Sequence, residues 1–560
     1  MQNRIFVNDY FIRIEADSTD EDMLRLLSFC PRIEKGRKKI EYYCSLMYLP
    51  VVLKYLRGIN TLEECPEGNI RERYRTVETQ EARTALLKKY GPTASDPLLW
   101  THQSMGVELA EINKRYGFFY DTRTGKTLMA LKIMYNALKR NEAKRCLVIC
   151  PSSIIQSWLA DAAKYPELQV VAYYGKDRWK AIHTPAHIVI WSLELVADSL
   201  EVLLATNFDI CFFDESSKIK SHKAKISDAA LDLSLTIPRW YLLSATPAPN
   251  NESEYYTQMK TIDPYCFPSA RTHFVNRYFT NTSRNNNYEK LVLRPEMAEE
   301  FNSILATRSI YVDQSVMPIA GKYWHTVYFE LENGLKPIYN RMREDRLVEI
   351  EGTNISSTMA AAIRAKLNQI TSGFVMDTDA IKENKKARML CYEEIGTEVY
   401  HLSDYRLVEM QRLITDVIGE DKKLIVWANY KAEFVMLEKF FGQSARYLRG
   451  GTSLEYKQDS IAAFKAGTVK HLVCHPLSVG MGINLVEAYN AIYFSCTDSW
   501  EALKQSSERI AGHISVQPHE CNYYVMIAKD TVDEMIYKNV SGKRDASYGL
   551  FEHLKAEALE

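Results

Sequence analysis

The sequence predicts an α/β protein of two tandem lobes. Each lobe is a parallel sheet flanked by helices, and helical insertions and a small α+β N-terminal unit complete the chain. Three observations lead there. A length of 560 residues corresponds to about three to four domains. From residue 98 onward, short apolar runs alternate with helical stretches. The alternation occurs twice, and runs that are apolar throughout suit strands covered on both faces.

Taken in order, RIFVNDYFIRI (4–14) alternates as strands do. Residues 20–29 carry leucines at helical spacing, and KKIEYYCS (38–45) reads as a further strand. LMYLPVVLKYLRG (46–58) reads as a short apolar helix ended by Gly58. These place a first unit at 1–59, followed by a charge-rich connecting helix at 60–97 whose face is read as solvated. The first lobe, 98–315, contains RCLVICP (145–151), HIVIWS (187–192), DICFFDE (209–215) and WYLLSAT (240–246). The second, 316–560, opens with a mostly helical stretch at 330–372. KLIVWAN (423–429), ARYLRG (445–450), KHLVCHP (470–476) and NAIYFS (490–495) follow. The Asn-rich stretch 280–290 reads as an exposed loop, and no repeat of solenoid period is present.

Composition excludes some classes. A formal charge of −1 and a pI near 6.9 do not announce a nucleic-acid binder, so any such surface must be a local basic patch. The opening residues lack a secretory leader's apolar core, and no run is long enough to span a bilayer. None of the eleven cysteines forms a CxxC pair, which suits reduced thiols in an intracellular protein.

Three motifs carry chemistry. YDTRTGKT (120–127) ends in Gly125-Lys126-Thr127. A phosphate cradle needs inward N–H groups, a close-approach glycine, a lysine for charge and a hydroxyl for Mg2+. The expected first glycine is Tyr120, so the strict pattern fails, and an ordinary helix start remains an alternative. Asp214-Glu215 closes an apolar run, where an aspartate can hold Mg2+ and a glutamate can take a proton from attacking water. Two solvated carboxylates at a strand end is the blander reading. Ser244-Ala245-Thr246-Pro247 closes another run and could couple a nucleotide site to a nucleic-acid track, or be a plain turn.

In this order the three motifs meet a family pattern. DESSKIKS (214–221), LLSATPAPNN (242–251) and EYYTQMKTIDPYCFPSARTHFVNRYF (254–279) resemble the Swi/Snf-type branch of helicase superfamily two. So do YLRGGTSLEYKQDSIAAFKAG (447–467), PLSVGMGINLVEAYNAIYFS (476–495), WEALKQSSERI (500–510) and AKDTVDEMIY (528–537). The resemblance covers about residues 98–540 and implies two RecA-like lobes, ATP and Mg2+ as cofactors, and DNA as partner, with RNA less favoured and no membrane. It implies that Gln103 recognises adenine, and that Arg123, Thr124, Gly125, Lys126, Thr127 and Gly482 bind ATP. Thr127 and Asp214 would hold Mg2+, Glu215 would be the general base, and Arg509 would reach the phosphates from the second lobe. Pro151, Ser152, Ser192, Ser244, Thr246, Gly450, Ser478, Gly480 and Asn484 would line the nucleic-acid track or couple it to ATP. For the serines, a plain loop hydroxyl stays open.

The sequence also departs from the family. The second arginine of the sixth motif is replaced by Gly512, and Arg123-Thr124 stand for the usual Gly-Leu. Lys457 stands near the position of another family arginine. An arginine on the γ-phosphate is worth roughly 10³–10⁵ in rate in related systems, so Gly512 bears on hydrolysis rather than binding. Residues 8–56 resemble the HARP-type accessory domain of annealing helicases, although that family's tryptophan is missing and Tyr42 and Tyr43 lie nearby. Its basic cluster, Lys35, Arg37, Lys38 and Lys39, could contact DNA phosphates or form a solvated turn. The expectation is an ATP-dependent translocase on duplex or branched DNA, remodelling or reannealing it. The alternatives are a strand-separating DNA or RNA helicase and an ATP-gated clamp deficient in hydrolysis. Compact size suggests a bacterial or phage type acting in the cytoplasm.

Overall fold

The computed structural model describes residues 4–7, 11–16, 32–35, 40–45, 70–93, 96–175, 184–268, 270–282, 291–348, 357–376, 388–390, 399–476, 478, 484–497 and 499–542. The chain divides into two compact units. One holds Met1–Ser283 and Lys290–Val316, and the other holds Met317–Tyr548.

The first unit begins with β1 (Arg4–Val7), β2 (Phe11–Ala16), β3 (Arg32–Lys35) and β4 (Ile40–Ser45). They form an antiparallel sheet in the order β1-β2-β4-β3. The expected helices at 20–29 and 46–58 lie outside the described residues. Ile12 and Ile14 are buried, and β4 is tied to the larger sheet's surroundings. Ser45 Oγ donates to Asp263, which also accepts from Arg308 Nη2 at 3.1 Å. Tyr43 stacks on Tyr265 with ring centroids 6.2 Å apart.

Helix α1 (Ile70–Tyr90) follows. Its Lys88 donates to the carbonyls of Ala306 and Ser309, the latter at 3.0 Å. These carbonyls close the helix Pro295–Arg308, whose end carries partial negative charge. Burial pushes the Lys88 amine down to about 8.

The main sheet is built from β5 (Arg115–Tyr120), β6 (Cys146–Cys150), β7 (Val170–Tyr173), β8 (Ile188–Ser192), β9 (Ile210–Asp214), β10 (Arg239–Leu243) and β13 (Ser309–Val312). Between them in sequence, β11 (Phe279–Asn281) and β12 (Leu291–Leu293) form a separate antiparallel pair. The seven strands are parallel, in the order β13-β5-β10-β9-β6-β8-β7. Every residue of β6, β8 and β9 is buried, as unbroken apolar runs require when helices cover both faces.

The second unit has a six-stranded parallel sheet. Its members are β14 (Lys322–Phe329), β18 (Leu424–Trp427), β19 (Ala445–Leu448), β20 (His471–Cys474), β21 (Asn490–Tyr493) and β22 (Cys521–Ala528), in the order β14-β22-β21-β18-β20-β19. Helices Leu335–Val348 and Ser357–Thr371 form the anticipated insertion. The short strands β15 (Phe374–Met376), β16 (Arg388–Leu390) and β17 (Val399–His401) make a small antiparallel sheet. Two tandem lobes of parallel sheet flanked by helices are thus the observed fold, as the sequence led us to expect.

A buried ion pair closes the second unit. Arg406 Nη2 lies 2.5 Å from Asp533 Oδ2, both side chains being about 1% exposed. Asp533 Oδ1 also accepts from Asn368 Nδ2 at 3.0 Å and Thr371 Oγ1 at 2.7 Å. A buried charge pair tolerates desolvation only with such additional bonds. The TVDE segment therefore joins the inserted helices to the end of β22.

Candidate functional site

In the first unit the candidate residues leave the carboxyl ends of five neighbouring strands, β5-β10-β9-β6-β8. Open α/β sheets offer ligand sites at these ends. Strand β5 delivers the candidate phosphate loop, β10 delivers Ser244 and Thr246, and β9 delivers Asp214 and Glu215. Strands β6 and β8 deliver Pro151-Ser152 and Ser192. Register keeps these ends level: Leu243 pairs with both Phe118 and Asp214, and Cys150 pairs with Ser192.

The phosphate loop runs from Asp121 to Gly125, and helix α2 (Lys126–Lys139) starts directly after it. Arg123 (φ 63°) and Gly125 (φ 77°) are left-handed. Thr124 Oγ1 donates to Asp121 O at 2.6 Å, and Thr122 N donates to Asp121 Oδ1 at 2.8 Å. Gln314 Nε2, from beyond β13, donates to Thr122 Oγ1 at 3.0 Å. Lys126 Nζ donates to Tyr120 O at 2.9 Å and Asp121 O at 3.2 Å. Thr127 follows in the first turn of α2, where N–H groups and the helix dipole favour an anion.

The helix Thr101–Ile112 backs this loop. Gln103 Oε1 accepts from Trp100 N at 2.8 Å, and its Nε2 donates to Thr124 O at 3.1 Å and Gly125 O at 3.2 Å. A Cβ on Gly125 would meet Gln103 Nε2 at 1.9 Å, so a side chain there would displace this amide, and the left-handed φ itself favours glycine. Adenine recognition by Gln103 would draw on this same amide. His102 Nε2 lies 2.7 Å from Thr124 O, and a carbonyl only accepts, so Nε2 carries the proton. Burial lowers the His102 pKa, which favours that neutral form.

Asp214 is 4% exposed. Its Oδ2 accepts from Trp158 Nε1 at 3.0 Å and its Oδ1 from Glu215 N at 2.9 Å. Burial raises its pKa, opposed by the positive charge of Lys126 and then by the Trp158 bond. A buried carboxylate of that kind is stabilised by a cation. The Asp214 carboxylate and the Thr127 hydroxyl are oxygen donors of the hard kind that Mg2+ takes, and they are the residues here that would hold it. Among the described residues no cluster of three or more His, Cys, Asp or Glu could hold a metal on its own.

Glu215 is half-buried in a left-handed turn (φ 58°) directly after β9. Ser244 N donates to Phe118 O at 3.4 Å, and Thr246 N donates to Ser244 Oγ at 3.1 Å. Gln258 bridges the two motifs. Its Oε1 accepts from Ser216 Oγ at 2.7 Å, and its Nε2 donates to Pro247 O at 2.6 Å. Neither Trp158 nor Gln258 was singled out from sequence. Both lie on helices, and only the fold carries them to the strand ends.

In the second unit, Gly450 follows β19, and a Cβ there would meet nothing within 4 Å. Ser478 N donates to His475 O at 2.9 Å, and Asn484 is exposed. Gly480 and Gly482 lie outside the described residues. Arg509 is 9% exposed, and its carbonyl accepts from Leu485 N at 2.8 Å. Gly512 O accepts from Ala320 N at 2.9 Å. Lys35 ends β3, whereas Arg37, Lys38 and Lys39 lie outside the described residues.

A phosphate-loop sheet whose neighbouring strands deliver an Asp-Glu pair and a hydroxyl motif, followed by a second parallel-sheet lobe, defines the class of two-lobed helicase-like ATPases. The SNF2-related domain matches residues 108–373, and the helicase conserved C-terminal domain matches residues 408–512. The chain belongs to the Swi/Snf-type branch of helicase superfamily two, a branch of DNA-dependent ATPases, and carries that family's ATPase core.

It is 22% identical over 551 residues to the DNA repair and recombination protein RAD54 of Saccharomyces cerevisiae, covering 89% of this chain and 60% of that one. It is 23% identical over 467 residues to protein p41 of Acyrthosiphon pisum secondary endosymbiont phage 1, covering 77% of this chain and 93% of that one. Among solved structures, the Sulfolobus solfataricus SWI2/SNF2 ATPase core in complex with dsDNA matches with a TM-score of 0.37 and 19% identity, over 84% of this chain and 97% of that one. The chain thus spans about three fifths of the yeast relative and nearly all of the phage one.

Proposed function

We propose that this chain is an ATP-driven translocase acting on duplex or branched DNA, with remodelling or reannealing of branched DNA as its output. The observation that carries the reading is the row of strand ends β5-β10-β9-β6-β8. In that row a candidate phosphate loop, an acid pair and two candidate DNA-contact segments lie side by side on one sheet, which supports the reading. In this reading Gly125, Lys126 and Thr127 bind the β- and γ-phosphates. Thr127 and Asp214 hold Mg2+, which when bound neutralises charge on the phosphate oxygens. Lys126 trades its bonds to Tyr120 O and Asp121 O for phosphate oxygens. Glu215 accepts the proton of the attacking water. Arg509 is assigned to the transferring phosphate on the family resemblance, and Pro151, Ser152, Ser192, Ser478 and Asn484 to the DNA backbone.

The test is phosphate release with and without duplex, forked and single-stranded DNA, beside Lys126→Ala. Strong stimulation by duplex or forked DNA, abolished in the variant, supports the motor. Release indifferent to every nucleic acid overturns it. Displacement of a labelled strand from a fork would favour a strand-separating helicase instead. Gly512 favours a second reading, an ATP-gated DNA clamp. Tight ATP binding without release would support the clamp, and Gly512→Arg would then ask whether the missing guanidinium is the cause.

A further inference from the structure

The ends of β6 and β8 share one feature that the proposed ATP chemistry does not use. The Glu194 carboxylate, two residues past β8, is held by donors from both strand ends. Ser152 N donates to Oε1 at 3.3 Å and to Oε2 at 3.2 Å, Ser152 Oγ donates to Oε1 at 3.3 Å, and Ser192 Oγ donates to Oε2. One backbone N–H and two hydroxyls therefore converge on a single oxyanion. They do so because Cys150 and Ser192 are paired in register, which brings Ser152 and Ser192 to the same edge of the sheet.

Backbone N–H groups and Ser hydroxyls are the donors that proteins offer to DNA phosphate oxygens without reading sequence. In the reading above Ser152 and Ser192 face the DNA backbone; we propose that Glu194 is a resident anion that competes with one backbone phosphate for the seat formed by Ser152 N, Ser152 Oγ and Ser192 Oγ. The proposal rests on the DNA-motor reading above. Carboxylate and phosphodiester carry like charge and cannot share three donors, so DNA engages only as Glu194 leaves. The residue can leave readily: Glu194 and Ser152 are both exposed, so the freed carboxylate turns into water. Ser192 is buried and stays in place for the incoming phosphate. Glu194 thereby weakens idle binding and makes occupancy of this seat depend on well-positioned DNA.

The experiment uses the full chain and a fluorescently labelled blunt duplex, with affinity measured across a series of KCl concentrations. The variants are Glu194→Ala, Glu194→Gln, and Asp198→Asn as a charge-matched control on an exposed acid four residues on. Glu194→Gln keeps the side chain's shape, so a folding defect in the alanine variant does not decide the outcome. Both Glu194 variants are expected to bind several-fold tighter than wild type. Their gain should persist through the KCl series, because a phosphate held by neutral N–H and hydroxyl donors adds no counterion release of the kind Lys and Arg contacts bring. Asp198→Asn should gain less, and its gain should fade as KCl rises and screens the lost charge. Adding Ser192→Ala to Glu194→Gln should cancel the gain.

Equal or weaker binding by both Glu194 variants, or a gain matched in size and salt dependence by Asp198→Asn, would overturn the seat alone. Absence of duplex binding by wild type and variants alike would overturn the seat together with the DNA-motor reading.

Discussion

Trp158 donates its indole N–H to Asp214 Oδ2 at 3.0 Å. The tryptophan lies on the helix Ile155–Ala162, which starts three residues after Ser152. A candidate DNA-contact segment and the candidate Mg2+ carboxylate are therefore joined through one short helix. Hydrogen bonds to charged groups contribute about 1.5–3 kcal/mol. Trp158→Phe keeps the packing ring and removes the donor, so Asp214 should become harder to ionise. The expected outcome is a higher Mg2+ concentration for half-maximal phosphate release, with nucleotide affinity at saturating Mg2+ little changed. A Mg2+ titration of the ATPase checks it, and an unchanged midpoint would remove Trp158 from the pathway.

Gly125→Ala meets two obstacles, a φ of 77° and an amide 1.9 Å from the new carbon. Gln103→Ala relieves only the second. The double variant should regain part of the stability lost by Gly125→Ala, because left-handed backbone still opposes alanine by about 1–2 kcal/mol. Melting temperatures of the three variants without nucleotide check this. Full recovery in the double variant would leave space as the sole constraint.

Removing one member of the Arg406–Asp533 pair leaves a buried charge without its partner, at a cost of about 3–5 kcal/mol. Asp533→Ala should therefore lower the denaturant midpoint sharply. Arg406→Met combined with Asp533→Leu should recover much of the loss, since neither charge is then buried. Urea unfolding of the single and double variants distinguishes the two results.

His471 is 7% exposed, and burial, with a smaller contribution from Lys470, pushes its pKa down to about 4. The unfolded chain takes up this proton near the ordinary value of 6.5, so between 6.5 and about 4 it binds more protons than the folded chain. The stability from neutral His471 is thus fully present above pH 6.5 and lost as pH falls toward 4, by roughly 3 kcal/mol in all. His471→Phe should flatten this part of the stability–pH profile. Denaturant midpoints measured from pH 7 to about 4 test it.

The apolar runs CLVIC, IVIWS, ICFFD and RWYLL all became buried parallel strands, as did LIVW, HLVC and NAIY. Continuous apolarity over four or five residues is a local signal, and burial on both faces is its cause. Strands without it escaped notice. In β5, RYGFFY is broken by Gly117 and runs straight into the phosphate loop. Strand β14 is a sheet edge with mostly exposed or half-exposed residues. Strand β3, RIEK, has the charged character that edge strands carry to discourage pairing. The site was legible where it is contiguous, as in 120–127, 214–215 and 244–246. Trp158, Gln258, Gln314 and Glu194 escaped because sheet order departs from chain order, and only tertiary packing brings their side chains to the motif residues.

The arrangement of β22 sets where a working fragment of this protein can be cut. The match to the helicase C-terminal domain stops at residue 512, but β22 (Cys521–Ala528) is wedged between β14 and β21. Trimming at 512 would split the second sheet into a four-stranded remnant, β21-β18-β20-β19, with a raw edge and a lone β14 with nothing to pair with, and would strand Arg406 without its counter-ion. A working fragment of the second lobe therefore runs past Asp533, whatever boundary sequence comparison alone suggests.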